Sequence, residues 1–263
     1  MPEGHTLHRL ARDQGRMFAG TVVHASSPQG RFADGAAVLD GRVLENVDAY
    51  GKHLFQHWAD DATLHVHLGL YGKFTTGKGA PPPPRGALRL RLVNDEVWTD
   101  LRGPIACELV DAEQQNAIIA KLGPDPIRAR SDPALAFQRI RRSRTPIAAL
   151  LMDQHVLAGV GNVYRAEILF RHRVAPHLPG NALPEVIWGE MWDDLVVLMR
   201  AGVRSGRIVT IREEDRPRRG RLTRAEANYV YRRTGEPCRV CGTEIRTEVL
   251  VGRNLFWCPN CQR

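Results

Sequence analysis

The chain predicts an α+β protein: an N-terminal antiparallel β-sandwich, a helical middle region and a C-terminal hairpin closed on a metal. Three observations carry this. Residues 20–110 read as short alternating apolar runs punctuated by Asp, Gly and Asn. The stretches 146–170 and 184–202 place apolar residues at helical spacing, and four of the five cysteines form two close pairs near the end. A chain of 263 residues, 43% hydrophobic and 25% charged, is long enough for more than one core. No run approaches a membrane span and the N-terminus lacks a basic-then-apolar leader pattern, so the expected compartment is the cytoplasm. A net charge of +8, carried mainly by arginine, points to a polyanionic partner.

At the start, Met1-Pro2-Glu3-Gly4, the small second residue predicts removal of Met1, leaving the secondary amine of Pro2 as the terminus. An α-amino group titrates at about 7.7–8.0, so a useful fraction is a neutral nucleophile at physiological pH. Attack on a sugar anomeric carbon would give an iminium, an electron sink for elimination, and Glu3 is adjacent for proton transfer. A helix is predicted from Leu7 to about Gly15. Strands are predicted at Val43–Tyr50, His53–Trp58, Thr63–Leu68, Ala87–Val93 and Val97–Leu101. Gly51-Lys52 falls between two of them, which puts Lys52 at a hairpin tip within reach of a phosphate. His65 and His67 share a strand face with His53 and His57 near in sequence, but no carboxylate joins them at ligand spacing, so no metal is expected there. Gly69-Leu70-Tyr71-Gly72 either tucks into the core or exposes an apolar wedge that enters a base stack. Asp100-Leu101-Arg102-Gly103-Pro104 is a second such turn, and the prolines of Gly79–Pro84 read as an extended loop.

Repeated prolines from Leu122 to Pro133 mark a domain boundary. The expected domains are residues 2–122, 132–233 and 234–263. Thr145 and Pro146 are good start signals for a helix that runs to Gly159; Gly159 and Gly161 then make a tight double turn, and Asn162 caps a second helix from Val163 to about Phe170. The free N–H groups of that helix start would suit a phosphate. A further helix fits Pro184 to about Gly202, its Trp188, Met191, Trp192, Leu195 and Leu198 stripe facing a core. Residues 204–224 hold eight arginines against three acids and read as a mobile basic loop. Cys238-x-x-Cys241 and Cys258-x-x-Cys261 enclose the sixteen residues 242–257, the spacing of a closed, structural zinc site. Strands at Glu248–Val251 and Leu255–Trp257, joined by Gly252-Arg253-Asn254, would set Arg253 at a rigid tip. Cys107 is left as a buried free thiol.

Together these pieces resemble the formamidopyrimidine-DNA glycosylase/endonuclease VIII family. The resemblance runs through Met1-Pro2-Glu3-Gly4, Tyr50-Gly51-Lys52, His67 with Leu70-Tyr71-Gly72, the helix-two-turn-helix at Asp153–Phe170, and Gly235-Glu-Pro-Cys238 through Cys261. It implies that Pro2 is the Schiff-base nucleophile and Glu3 the acid that opens the sugar. It implies further that Lys52 assists β-elimination at the flanking phosphate, while Arg253 and Asn162 clamp phosphates, Arg253 doubling as the acid for δ-elimination. Leu70, Tyr71 and Arg102 would fill the gap left by a flipped base, and His67 would belong to the same DNA-binding set. Met-Pro-Glu-Gly, Leu-Tyr-Gly and Phe256-Trp257-Cys258-Pro259 look like the endonuclease VIII branch; Gly103-Pro104 stands where the purine branch carries an arginine-phenylalanine wedge. The family has Pro-Glu where this chain has His5-Thr6. The resemblance therefore implies a bifunctional glycosylase and abasic-site lyase with one structural zinc ion, acting as a nucleoid-associated monomer on damaged DNA, duplex or bubble. The competing readings are a purine-lesion glycosylase and a non-catalytic zinc-containing nucleic-acid-binding protein.

Overall fold

The computed structural model describes residues 2–220, 222, 223 and 225–263; Met1, whose removal the nucleophile reading needs, and Arg221 and Arg224 of the basic run lie outside them. The chain divides after Lys121 into two compact units.

The first unit opens on α1 (Gly4–Phe18), longer than the predicted Leu7–Gly15 because its buried stripe of Leu7, Ala11, Gln14 and Phe18 continues to the last turn. Then come β1 (Thr21–Ser26), α2 (Ala33–Leu39), β2 (Arg42–Tyr50), β3 (His53–Trp58), β4 (Ala62–His67), β5 (Lys73–Lys78), β6 (Leu88–Val93), β7 (Val97–Arg102), β8 (Ala106–Val110) and α3 (Ala112–Ala120). The strands hydrogen-bond in the order β5-β7-β6-β1-β2-β3-β4-β8, each pair antiparallel. β1 turns the corner between the two layers: Thr21–Val23 pair with β2, and His24–Ser26 pair with β6. Leu54, Trp58, Leu64 and Val66 from one layer meet Leu90, Leu92 and Leu101 from the other, with Leu7 and Phe18 of α1 in the same core.

Sequence reading missed β1, α2, β5, β8 and α3. β5 and β8 are the two edges of the sheet, so neither carries a full apolar alternation. α3 buries no side chain, and its signal is the capping box of Asp111 with Gln114. On β6 and β7, Arg91 sits opposite Asp100, donates to it from two nitrogens at 2.7 and 2.9 Å, and is joined there by Arg102 at 2.9 Å. Asp100 is 1% exposed, so this is a buried ion cluster held by bidentate geometry.

The second unit holds α4 (Pro133–Ile140), α5 (Ile147–Leu150), α6 (Asn162–Arg171), α7 (Glu185–Ser205) and a hairpin of β9 (Arg246–Leu250) and β10 (Arg253–Trp257). The helix expected from Pro146 to Gly159 is only four residues long. Past it, side chains take over the backbone hydrogen bonds. The Asp153 carboxylate accepts from His155 N–H, Gln154 Oε1 accepts from Gly159 N–H, and Gln154 Nε2 donates to the carbonyls of Met152 and Val160. Gly123 presses on this turn: a Cβ there would lie 2.3 Å from the Val156 carbonyl oxygen, so only glycine fits. α7 buries Trp188, Met191, Trp192, Leu195 and Met199, and ends on Gly206 in the left-handed region.

The described part of the basic run is hydrogen-bonded to its surroundings. Arg171 donates to the Thr210 carbonyl, Arg207 to the Leu222 carbonyl, and the Tyr229 hydroxyl to Asp215. At its centre the fully buried Glu167 of α6 accepts from the backbone N–H groups of Tyr229, Val230 and Tyr231 at 2.7–2.8 Å and from the Thr210 hydroxyl.

Replacing Glu167 by Ala strands the N–H donors of Tyr229, Val230 and Tyr231, the first two buried. The expected cost is at least about 3 kcal/mol in urea unfolding, with loss of hydrogen-exchange protection at residues 229–231. A change below about 1 kcal/mol would refute this role.

Candidate active site and metal centre

In the first unit, Glu3 occupies the residue before α1 with extended backbone (φ −121°, ψ 175°) and a fully buried side chain. A helix start is a favourable place for a carboxylate, because free N–H groups and the aligned peptide dipoles face it. His5 is buried in the first turn of the same helix. Burial first, then the positive charges of the terminus, Arg9 and His8, hold its imidazole at about 4, so it is neutral at physiological pH. Its Nε2 lies 3.3 Å from Thr6 Oγ1.

Gly51 and Lys52 make a two-residue turn between β2 and β3, with Gly51 at φ 56°. Lys52 is half-buried, so it is not the free tip lysine that the sequence suggested. His53, first in β3, is 2.9 Å from His65, and His65 is 3.0 Å from Glu108. His67 ends β4, its ring 4.8 Å from that of His53. A carboxylate therefore does join the histidines, from β8, which spacing alone could not reveal.

Of the two readings of Gly69–Gly72, the exposed one holds: Leu70 is 37% and Tyr71 86% exposed. A residue that sequence reading passed over joins them. Ile105 is 72% exposed, donates its N–H to the His67 carbonyl at 2.9 Å, and lies so close to Gly69 that a Cβ there would be 2.3 Å from its Cδ1. Arg102, expected with this wedge, is instead tied to Asp100 and to the Arg85 carbonyl. Cys107 is buried, and burial pushes its thiol up to about 12, an inert state.

In the second unit, the Sγ atoms of Cys238, Cys241, Cys258 and Cys261 all lie within 4.8 Å of one another; Cys238–Cys261 are 3.9 Å apart and Cys241–Cys258 3.5 Å. A tetrahedron of sulfurs around zinc has edges of about 3.8 Å, so the four thiols fit one ion and leave no open position. Tight turns present the pairs: Gly242 N–H donates to the Cys238 carbonyl, and Gln262 N–H to that of Cys258.

The hairpin between the pairs differs from expectation. Its turn is Val251-Gly252, at φ 50° and 66°, and Arg253 already begins β10. Two left-handed residues define the tight hairpin turn whose twist matches antiparallel strands. Val251 is a β-branched residue in that region, where a Cβ is crowded. Asn162 is not a cap but the first residue of α6, Gly161 taking the cap position. Its amide donates to the Asn254 carbonyl at 2.9 Å, and the buried Arg165 reaches both Asn162 Oδ1 and that same carbonyl. Asn162 and the residue after Arg253 are thus fastened together at the start of α6.

Known proteins match this arrangement along its length. Residues 1–106 match the formamidopyrimidine-DNA glycosylase N-terminal domain, residues 122–213 its H2TH domain, and residues 235–263 a zinc finger found in FPG and IleRS. The chain is 55% identical to endonuclease 8 1 of Mycobacterium tuberculosis and 34% identical to endonuclease 8 2 of Mycobacterium bovis, covering all of each chain. It is 30% identical to the formamidopyrimidine-DNA glycosylase of Gloeobacter violaceus over all of this chain and 97% of that one. A Lactococcus lactis FPG mutant bound to Fapy-dG DNA superposes with a TM-score of 0.84 at 23% identity over the whole of both chains, a likeness of fold. The four cysteines accordingly hold one structural zinc. Three family models in series and full-length relatives above 30% identity place the chain in the formamidopyrimidine-DNA glycosylase/endonuclease 8 family of base-excision repair, DNA glycosylases with abasic-site lyase activity.

Proposed function

We propose that this chain removes oxidised pyrimidines from DNA and cuts the strand at the resulting abasic site, with the amine of Pro2 as nucleophile. The observation that carries the reading is a secondary amine placed one residue before a fully buried carboxylate at a helix start. The Pro2 nitrogen attacks the sugar C1′, the bond to the base breaks, and Glu3 donates the proton that opens the ring. The carboxylate left on Glu3 then takes a C2′ proton from the iminium, and the electron pair released expels the 3′ phosphate, with Lys52 at the phosphate; Arg253 supplies the proton for a second elimination, which expels the 5′ phosphate. Residues 2–122 carry Pro2, Glu3 and Lys52, residues 132–233 and 234–263 grip the backbone, the last supplying Arg253, and a monomer suffices. His67, Leu70, Tyr71 and Asn162 complete the DNA-facing set, Asn162 through the helix start it begins, while Arg102 is held back by Asp100.

The pyrimidine preference is supported by the exposed Leu70 and Tyr71 and by the 55% likeness to a protein named endonuclease 8. Apolar side chains fill space without reading hydrogen-bonding edges, so the opposite base should matter little. Thymine glycol and hydroxyuracil should leave faster than oxidised guanine paired with cytosine in matched single-turnover assays, which isolate chemistry from product release. Faster loss of oxidised guanine with a sharp opposite-base effect would move the protein to the purine branch.

Borohydride trapping on duplex DNA with one abasic site is the direct test of the nucleophile. The wild-type protein, shown by intact mass to lack Met1, should form a covalent adduct; Pro2→Gly or a form that retains Met1 should trap at a small fraction of that level. Equal trapping by the Met1 form would refute the mechanism, and no adduct at all would favour a pure binding protein.

Arg253→Ala should weaken binding equally on all sequences and reduce the salt slope by about one phosphate contact, roughly 0.9 in log–log terms. Loss confined to some sequences, at an unchanged slope, would refute the phosphate role.

Cys238→Ser should abolish stoichiometric zinc by elemental analysis and unfold the hairpin while the first unit keeps its own transition. A variant that still holds one zinc per chain would refute the four-thiolate site.

A further inference from the structure

The side of β3, β4 and β8 turned away from the core carries a continuous hydrogen-bonded row of ionisable groups. Side chains alternate along a strand, so His53 and Phe55 on β3, His65 and His67 on β4, and Glu108 on β8 share that side. The register sets His53 opposite His67, Phe55 opposite His65, and His65 opposite Glu108; β2 adds Tyr50 opposite His53 and Asp48 opposite Phe55. Glu108 Oε1 is 3.0 Å from His65 Nδ1, and His65 Nε2 is 2.9 Å from His53 Nδ1. The rings of His53, His65 and Phe55 are nearly parallel, the His65 centroid 5.1 Å from each of the other two. Lys52, next to His53 in the chain, acts electrostatically on both His53 and His67.

The row dictates where the hydrogens sit. An ionised carboxylate only accepts, so Nδ1 of His65 carries a hydrogen and donates to Glu108. A neutral imidazole carries one hydrogen, so in that state His65 Nε2 is an acceptor, the facing Nδ1–H of His53 donates to it, and His53 Nε2 carries a lone pair and no hydrogen. Glu108 thus orders a ring two hydrogen bonds away, as the carboxylate behind a metal-bound histidine orders its ring.

We propose that Glu108 and His65 are positioning residues that hold His53 in the tautomer with a bare Nε2, making the imidazole beside Lys52 a hydrogen-bond acceptor instead of a competing donor. The inference deepens the reading of Lys52 as the lysine at the flanking phosphate and rests on it. Burial first, then His67, His65 and Lys52, keep the His53 imidazole down at about 3, so the ring adds no second cation beside the lysine at physiological pH. Glu108 is 56% exposed at its side chain, which lets it be replaced without opening the core.

The test has two arms on the full-length, zinc-loaded protein. Histidine ¹⁵N NMR without DNA should show both His53 and His65 protonated at Nδ1 in the wild type, and Glu108→Ala should raise the Nε2–H form of each. In single-turnover strand cleavage of an abasic duplex, Glu108→Ala should be slower by about tenfold at unchanged Kd, and Glu108→Gln, which keeps an acceptor oxygen, should recover most of the rate. Wild-type His53 protonated at Nε2, or a doubly protonated His65, would overturn the proposal, as would altered tautomers in Glu108→Ala with an unaltered rate. Absence of a borohydride adduct in the wild type would remove the Pro2 reading separately, because the tautomers are read with no substrate present.

Discussion

The carboxylate of Glu167 is the point on which the second unit hangs. It lies on α6, the helix that begins at Asn162, and takes donors from Thr210 and from Tyr229, Val230 and Tyr231. One buried carboxylate therefore ties α6 to Thr210 of the basic run and to residues 229–231 on the approach to the first cysteine pair. A buried charge without partners would be ruinous; with four donors it becomes a fixed reference for everything packed round it. The lock of Asn162 and Arg165 on the Asn254 carbonyl works from the other end of α6. Between them, a zinc-bound hairpin and a two-turn motif far apart in sequence share one hydrogen-bonded base.

In the first unit the same logic operates with charge placed away from the core. Asp100 gathers Arg91 and Arg102, which fixes β6 against β7 and draws Arg102 back from the loop where it would meet DNA. The wedge that remains is apolar: Leu70 and Tyr71, with Ile105 pressed against Gly69. The helix start places Glu3, the β2–β3 turn places Lys52, and the histidine row lies beside that turn. Each functional group is carried by an element end supported from within its own unit, so precision does not depend on long loops.

Much of this was legible in the sequence because it rests on short-range rules. The cysteine spacing, the strands His53–Trp58 and Val97–Arg102 and the long helix at Glu185–Ser205 follow from periodicity and ligand geometry. Failures came where side chains competed with the backbone. Thr145-Pro146 looked like the start of a helix running to Gly159, but Asp153 and Gln154 divert the chain into turns after Leu150. Asn162 looked like a cap, but Arg165 and Asn254 claim its amide. The hairpin turn was shifted because Val251 in a left-handed conformation runs against every propensity for valine. Edge strands β5 and β8 were silent because half of their neighbours are missing. The link from Glu108 to His65 and His53 joins residues 43 and 12 positions apart, and only strand register brings them together.

The corner strand β1 has a consequence for the order of events at the ribosome. Its first half pairs with β2, yet its second half waits for β6, whose last paired residue is Val93. At about 5–20 residues per second, the sandwich cannot close for roughly 5 to 20 seconds after synthesis begins. Until then α1 has no complete core to bury Leu7 and Phe18, and the carboxylate of Glu3 stays in water. The late-closing sheet thus leaves Glu3 without its buried setting until most of the first unit has been made.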